Sequence, residues 1–155
     1  MPMPNLFHAP LFSLLCCLAF ALGALAPTTV RSEAPVAIAY DDPELEWHDC
    51  FEFLPDECRV AFLHGDPAKP NADVFFELPA DSHIAHHWHT SAERILLVTG
   101  EFHVNYDGHD PVVLRPGTYA YGPAKLPHDA YCAPGDPCLL FIAFEDPVDA
   151  VPTDE

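Results

Sequence analysis

His87-Trp88-His89-Thr90-Ser91-Ala92-Glu93-Arg94-Ile95-Leu96-Leu97-Val98-Thr99-Gly100 opens with metal-ligating side chains and ends in strand-forming ones. If residues 83–89 run as a strand, successive side chains point to opposite sides. His87 and His89 then share one face and Trp88 takes the other. A turn at Thr90-Ser91-Ala92 lets Glu93 begin a second strand with Ile95 and Leu97 on the same inward face. Its carboxylate thereby reaches the point where the two imidazoles converge. Two imidazoles and a carboxylate are a familiar ligand set for iron, manganese and similar ions. The best candidate for a fourth ligand is His128, which follows a Gly-bounded strand and a Pro-rich turn, Gly117-Thr118-Tyr119-Ala120-Tyr121-Gly122-Pro123-Ala124-Lys125-Leu126-Pro127, and opens a new strand.

From about Asp41 onward the chain reads as short strands with turns between them. FEF, RVAFL, DVFFEL, RILLVTG, EFHVNY, TYAYG and CLLFIAF are rich in aromatic and β-branched residues. LPDE, HGDPAKPN, LPADS, YDGHDP, RPG and APGDP separate them and are dense in turn-forming residues. No long stretch with an apolar period of 3.6 follows residue 26. Short strands at this even spacing predict an all-β sandwich or barrel. Residues 44–147 are expected to form one domain, with a flexible lead-in at 27–43 and a tail at 148–155.

The two motifs resemble those of the cupin superfamily. His87-x-His89-x3-Glu93-x6-Gly100 is similar to its first motif, and Gly117-x5-Pro123-x4-His128 to most of its second. Lys125 stands where the family pattern usually has glycine, which bears on the geometry of that turn. The resemblance covers roughly residues 72–145. It implies a double-stranded β-helix of jelly-roll form. It also implies one divalent metal ion in the barrel mouth, held by His87, His89, Glu93 and His128, with positions left open for water or substrate. Related small proteins pair through their sheets, which implies a homodimer. The donor set suits iron or manganese and also admits nickel, copper or zinc.

Other polar residues are weighed against ordinary packing. His83 has the same strand parity as His87, so it either lines the cavity as a proton donor or lies on the surface. Tyr119 and Tyr121 share a face of the strand leading toward His128. Tyr121 is accordingly a candidate catalytic hydroxyl, and half-buried packing is the alternative. His86 and Trp88 have the opposite parity and point away from the site. Arg94 is expected in a surface salt bridge. No Gly-x-Ser-x-Gly frame surrounds Ser91, so it is not read as a nucleophile.

Composition narrows the partners. The 155 residues include 6 basic and 24 acidic ones, for a formal net charge of −18. Without a basic cluster to neutralise successive phosphates, nucleic acid is excluded as a partner, and so is an anionic membrane surface. A small-molecule ligand or substrate remains.

Residues 11–26, LFSLLCCLAFALGALA, are uncharged and apolar, about as long as a signal peptide and short for a membrane span. Residues 1–26 are therefore read as a removable signal and the mature protein as exported, periplasmic or extracellular. No Lys or Arg precedes the run, and Pro27 follows Ala24-Leu25-Ala26. Cleavage after Gly23 or Ala39, or retention as an anchor, stays open. Beyond the leader, Cys50, Cys58, Cys132 and Cys138 form two close pairs. Each brackets a turn-like segment, so two hairpin-closing disulfides are expected in an oxidising compartment.

The leading functional reading is a small metal-dependent enzyme acting on a small organic molecule, with dioxygenase, decarboxylase and isomerase chemistry all implied by the resemblance. The alternative is a non-catalytic module that binds or senses a ligand or metal.

Overall fold

The computed structural model describes residues 33–153. The signal expected at residues 1–26 lies outside the described residues. From Val36 onward the described residues form a compact unit. Eleven strands build it, and among the described residues there is no helix. In chain order the strands are β1 (His48–Asp49), β2 (Arg59–His64), β3 (Ala72–Leu78), β4 (Ser82–Trp88), β5 (Glu93–Thr99) and β6 (Phe102–Tyr106). They continue as β7 (Val112–Leu114), β8 (Tyr119–Gly122), β9 (His128–Cys132), β10 (Cys138–Phe144) and β11 (Val151–Pro152).

Two antiparallel sheets face each other as a jelly roll, ordered β1-β2-β3-β10-β5-β8 and β11-β4-β9-β6-β7. Aromatic and β-branched runs become strands because alternate side chains bury against the opposite sheet. Leu78, Leu97, Leu114 and Leu140 are almost wholly buried between the sheets, each contributing roughly 1.5–3 kcal/mol. Gly100 follows β5 with φ +82°, and a Cβ there would stand 2.8 Å from Pro137 O and 2.9 Å from Cys138 Sγ. Only glycine suits both the backbone and the space.

Three expectations need correction. FEF at 51–53 is not a strand. It lies in a turn closed by Leu54 N–H to Phe51 O, and a second turn closed by Cys58 N–H to Pro55 O follows, because the short span from Cys50 to Cys58 is used up in bending the chain back. Residues 148–155 are not simply a tail. Val151 and Pro152 pair with Trp88 and His87, and Asp149 reaches the site. Both disulfides are present, Cys50–Cys58 and Cys132–Cys138, but only the first closes a hairpin, that of β1 and β2. Cys132 ends β9 in one sheet and Cys138 begins β10 in the other, so the second bond staples sheet to sheet.

Candidate metal centre

Three strands deliver the donor groups. His87 is near the end of β4, His89 just beyond it, Glu93 opens β5 and His128 opens β9. His87 and His128 face each other in register across β4 and β9. Nitrogen atoms of His87, His89 and His128 all lie within 4.8 Å of one another. His87 Nε2 is 3.1 Å from His89 Nε2, and Glu93 Oε2 is 3.4 Å from the same His89 nitrogen. His87, Glu93 and His128 are buried.

Hydrogen bonds at the far side of each ring fix the tautomers. His87 Nδ1–H donates to Ala85 O at 2.8 Å, His128 Nδ1–H to Leu126 O at 3.1 Å, and His89 Nδ1–H to Asp149 O. A carbonyl oxygen only accepts, so each neutral ring has committed its single proton at Nδ1 and turns a bare Nε2 lone pair inward. Two such lone pairs at 3.1 Å repel each other. A cation between them reverses the sign, and backbone carbonyls behind metal-bound histidines are the usual means of aiming them.

Electrostatics agree. Burial, and then the neighbouring His128 and His89, push His87 down to about 3. Burial above all takes His128 down to about 4. Both rings thus stay neutral, the state that ligates metal. Burial raises the Glu93 carboxyl; His89 opposes that rise and Asp149 adds to it. Three imidazoles and one carboxylate fit a divalent transition metal.

The turn between β4 and β5 is tied to distant segments. Asp149 accepts from Thr90 N–H at 2.8 Å and from Thr90 Oγ1 at 2.6 Å. Ser91 is buried, and its Oγ accepts from the N–H groups of Glu145 and Asp146 at 2.9 Å each. It braces the turn after His87 and His89. Lys125, at φ +61°, adopts the left-handed conformation that glycine favours, and its N–H donates to His89 O at 2.8 Å. The second-motif turn therefore keeps its shape with lysine in place.

His83 and Tyr121 are placed elsewhere. Between Ile84 and His87 the β4–β9 register shifts: β4 advances three residues while β9 advances two, from Ala130 to His128. This bulge reverses the parity, so Ile84 and His87 both face inward and His83 faces out, stacked on Tyr131 at 4.2 Å between ring centroids. Tyr121 pairs with Arg94 on the outer face and is half exposed. Arg94 makes a surface ion pair with Glu145.

Tyr106 and Asp149 were not foreseen. Phe102, Val104 and Tyr106 alternate inward along β6, a pattern that could have revealed the tyrosine. Asp149 is 59 residues from Thr90 in sequence, and nothing local announces it. The donor groups open onto a cavity of about 210 Å³. Phe51 and Leu54 of the disulfide-closed loop are among its lining residues, and the Phe53 ring stands 5.8 Å from that of His87.

Comparison with known proteins accords with this architecture. DMSP lyase DddQ from Ruegeria pomeroyi DSS-3 is 20% identical with TM-score 0.61, over 70% of this chain and 61% of that one. The polyketide cyclase RemF from Streptomyces resistomycificus is 18% identical with TM-score 0.62, over 77% and 87% of the two chains. An RmlC-like cupin from Shewanella frigidimarina NCIMB 400 is 24% identical with TM-score 0.55, over 68% and 86%. At such identities the likeness is one of fold. This chain spans less than two thirds of the lyase. No curated protein matches it by sequence. The ChrR Cupin-like domain family matches residues 36–147, and with the jelly roll and the two motifs in place, the chain belongs to that cupin family.

Proposed function

We propose that this protein is a metal-dependent enzyme acting on a small organic molecule, with a divalent ion, iron or manganese first, held by His87, His89, Glu93 and His128. The observation that carries the reading is the set of three inward-turned imidazoles whose ring protons are all committed behind them. Bound there, the ion supplies a Lewis acid that polarises a substrate oxygen. The protein's own residues do the rest. Carbonyls of Ala85, Leu126 and Asp149 hold the rings in one tautomer, Glu93 contributes the negative charge, and the apolar walls exclude bulk water. Similar folds carry a lyase, a cyclase and an oxalate decarboxylase, which supports catalysis without naming the reaction. The two disulfides are consistent with an oxidising compartment, and the protein acts there after export.

The test is elemental analysis of the native protein followed by turnover assays of the iron- or manganese-loaded form on enediols, catechols and small acids. One bound ion per chain with turnover is expected. Stoichiometric metal and ligand binding with no turnover on any of them would make this a binding or sensing module instead.

A further inference from the structure

The Tyr106 hydroxyl is buried and, among the described residues, has no hydrogen-bond partner. The residue is 8% exposed, and its ring lies 5.0 Å from that of His128. Gly122 shows where the hydroxyl points: a Cβ there would meet Tyr106 Oη at 3.0 Å and Glu93 Oε2 at 3.4 Å. The missing side chain leaves tyrosine and ligand carboxylate beside one small space at the metal end. A phenol keeps its proton at neutral pH, so the hydroxyl is a donor. Leaving such a group unsatisfied costs stability that replacement by phenylalanine would recover, unless an acceptor arrives with a ligand.

The remaining wall has a different character. Val74, Phe76, Ile95, Phe102, Leu140 and Ile142, drawn from both sheets, line the same cavity. Among the described residues no Lys or Arg lines it. Apart from the groups at the metal end, Asp149 among them, the charged or titratable side chains that line it are His48 and Asp49, both exposed on β1, so an anionic group held away from that end would meet mostly hydrocarbon. The size of about 210 Å³ exceeds the roughly 150 Å³ that accepts a benzene ring. It suits one substituted ring or a short chain.

We propose that the ligand is a single-headed molecule: one oxygen-bearing group, which accepts the Tyr106 O–H at the metal end, on an otherwise apolar body of about one ring. Dicarboxylates are rejected, because a second carboxylate would be buried among hydrocarbon. This rests on the metal-site reading above, and Tyr106 enters as a binding residue that selects the head group.

Calorimetry on the full, manganese-loaded chain tests it with 4-methylbenzoate, terephthalate and toluene. The first two differ only in a methyl or a carboxylate at the far end. Terephthalate is expected to bind at least about 100-fold more weakly than 4-methylbenzoate, since its second carboxylate is desolvated without a partner. Tyr106→Phe should weaken 4-methylbenzoate about tenfold and leave toluene and metal content unchanged, a pattern that general loosening of the barrel would not produce. Equal or tighter terephthalate binding overturns the proposal, as does a Tyr106→Phe variant with undiminished 4-methylbenzoate affinity. If elemental analysis finds no metal, the enzyme reading falls on its own. The same comparisons still decide this one, because neither the wall nor the phenol is a ligand.

Discussion

Two sets of histidines sit on the same sheet, and only one converges on a point. On its outer face His83 stacks on Tyr131, His86 meets Thr153 Oγ1 and Asp107, and His103 meets Glu101. On its inner face His87 and His128, with His89 just past the strand end, turn ring nitrogens toward one another inside an apolar cavity. The outer rings are satisfied by carboxylate, hydroxyl or aromatic neighbours. The inner ones have spent their protons on carbonyls and present lone pairs with nothing to accept from. Residue type is common to both faces; unfulfilled coordination capacity belongs to one.

The comparison breaks most readily on metal affinity. His128→Ala should lower manganese affinity on the order of 100-fold or more, beyond the 10–100-fold typical of losing a residue that merely supports a ligand. His83→Ala, a histidine removed from the outer face, should change it less than about twofold, being too far out to support a ligand. Titration of both variants with metal, followed by elemental analysis, separates the faces. A His128→Ala protein that retains a full equivalent of tightly bound metal would remove that residue from the centre.

Protonation offers a second, smaller contrast. In metal-free protein, His87 and His128 are lowered from 6.5 to about 3 and about 4. In that window the unfolded chain binds more protons than the folded one, so stability falls with falling pH. The contribution is intact above 6.5 and is lost progressively toward those lower values. Glu93, raised by burial, works with the opposite sign: its contribution is present at acid pH and declines as pH rises through its folded value. Glu93→Gln removes that opposing limb. Thermal melts of the metal-free variant should then drop on acidification from 6.5, and adding His87→Asn, whose amide carries no charge, should shrink the drop. An undiminished drop would locate the acid sensitivity elsewhere.

How much of this was written in the sequence follows from the range of the interactions. His87, His89 and Glu93 were legible because a strand, a three-residue turn and a strand fix their directions within seven positions. His128 was legible through the motif it closes. Parity failed at His83 because the bulge at Ile84–His87 is a property of pairing with β9, which local composition does not encode. The Cys132–Cys138 bridge was visible as a pair but not as a link between sheets, since strand runs do not say which sheet each joins. Tyr106 carried the signal of alternation on β6, yet it sits against the turn YDGHDP and reads as the end of an element. Asp149 had no local signal, because its partners Thr90 and His89 arrive from β4's end.

The bracing behind the inner rings can be probed most gently at Lys125. Its N–H holds His89 O, and its side chain is exposed, so replacement by glycine keeps the hydrogen bond and removes only a solvent-facing group. At φ +61° a residue with a Cβ is disfavoured by roughly 1–2 kcal/mol, while glycine's greater freedom in the unfolded chain returns about 0.4–1 kcal/mol. Lys125→Gly should therefore stabilise the protein by about 0.5 kcal/mol, read as a higher urea midpoint at unchanged slope, with manganese affinity unaltered. Weaker metal binding in that variant would mean that the lysine side chain, and not the backbone amide alone, holds the turn against His89. The inner face would then depend on an outer residue after all.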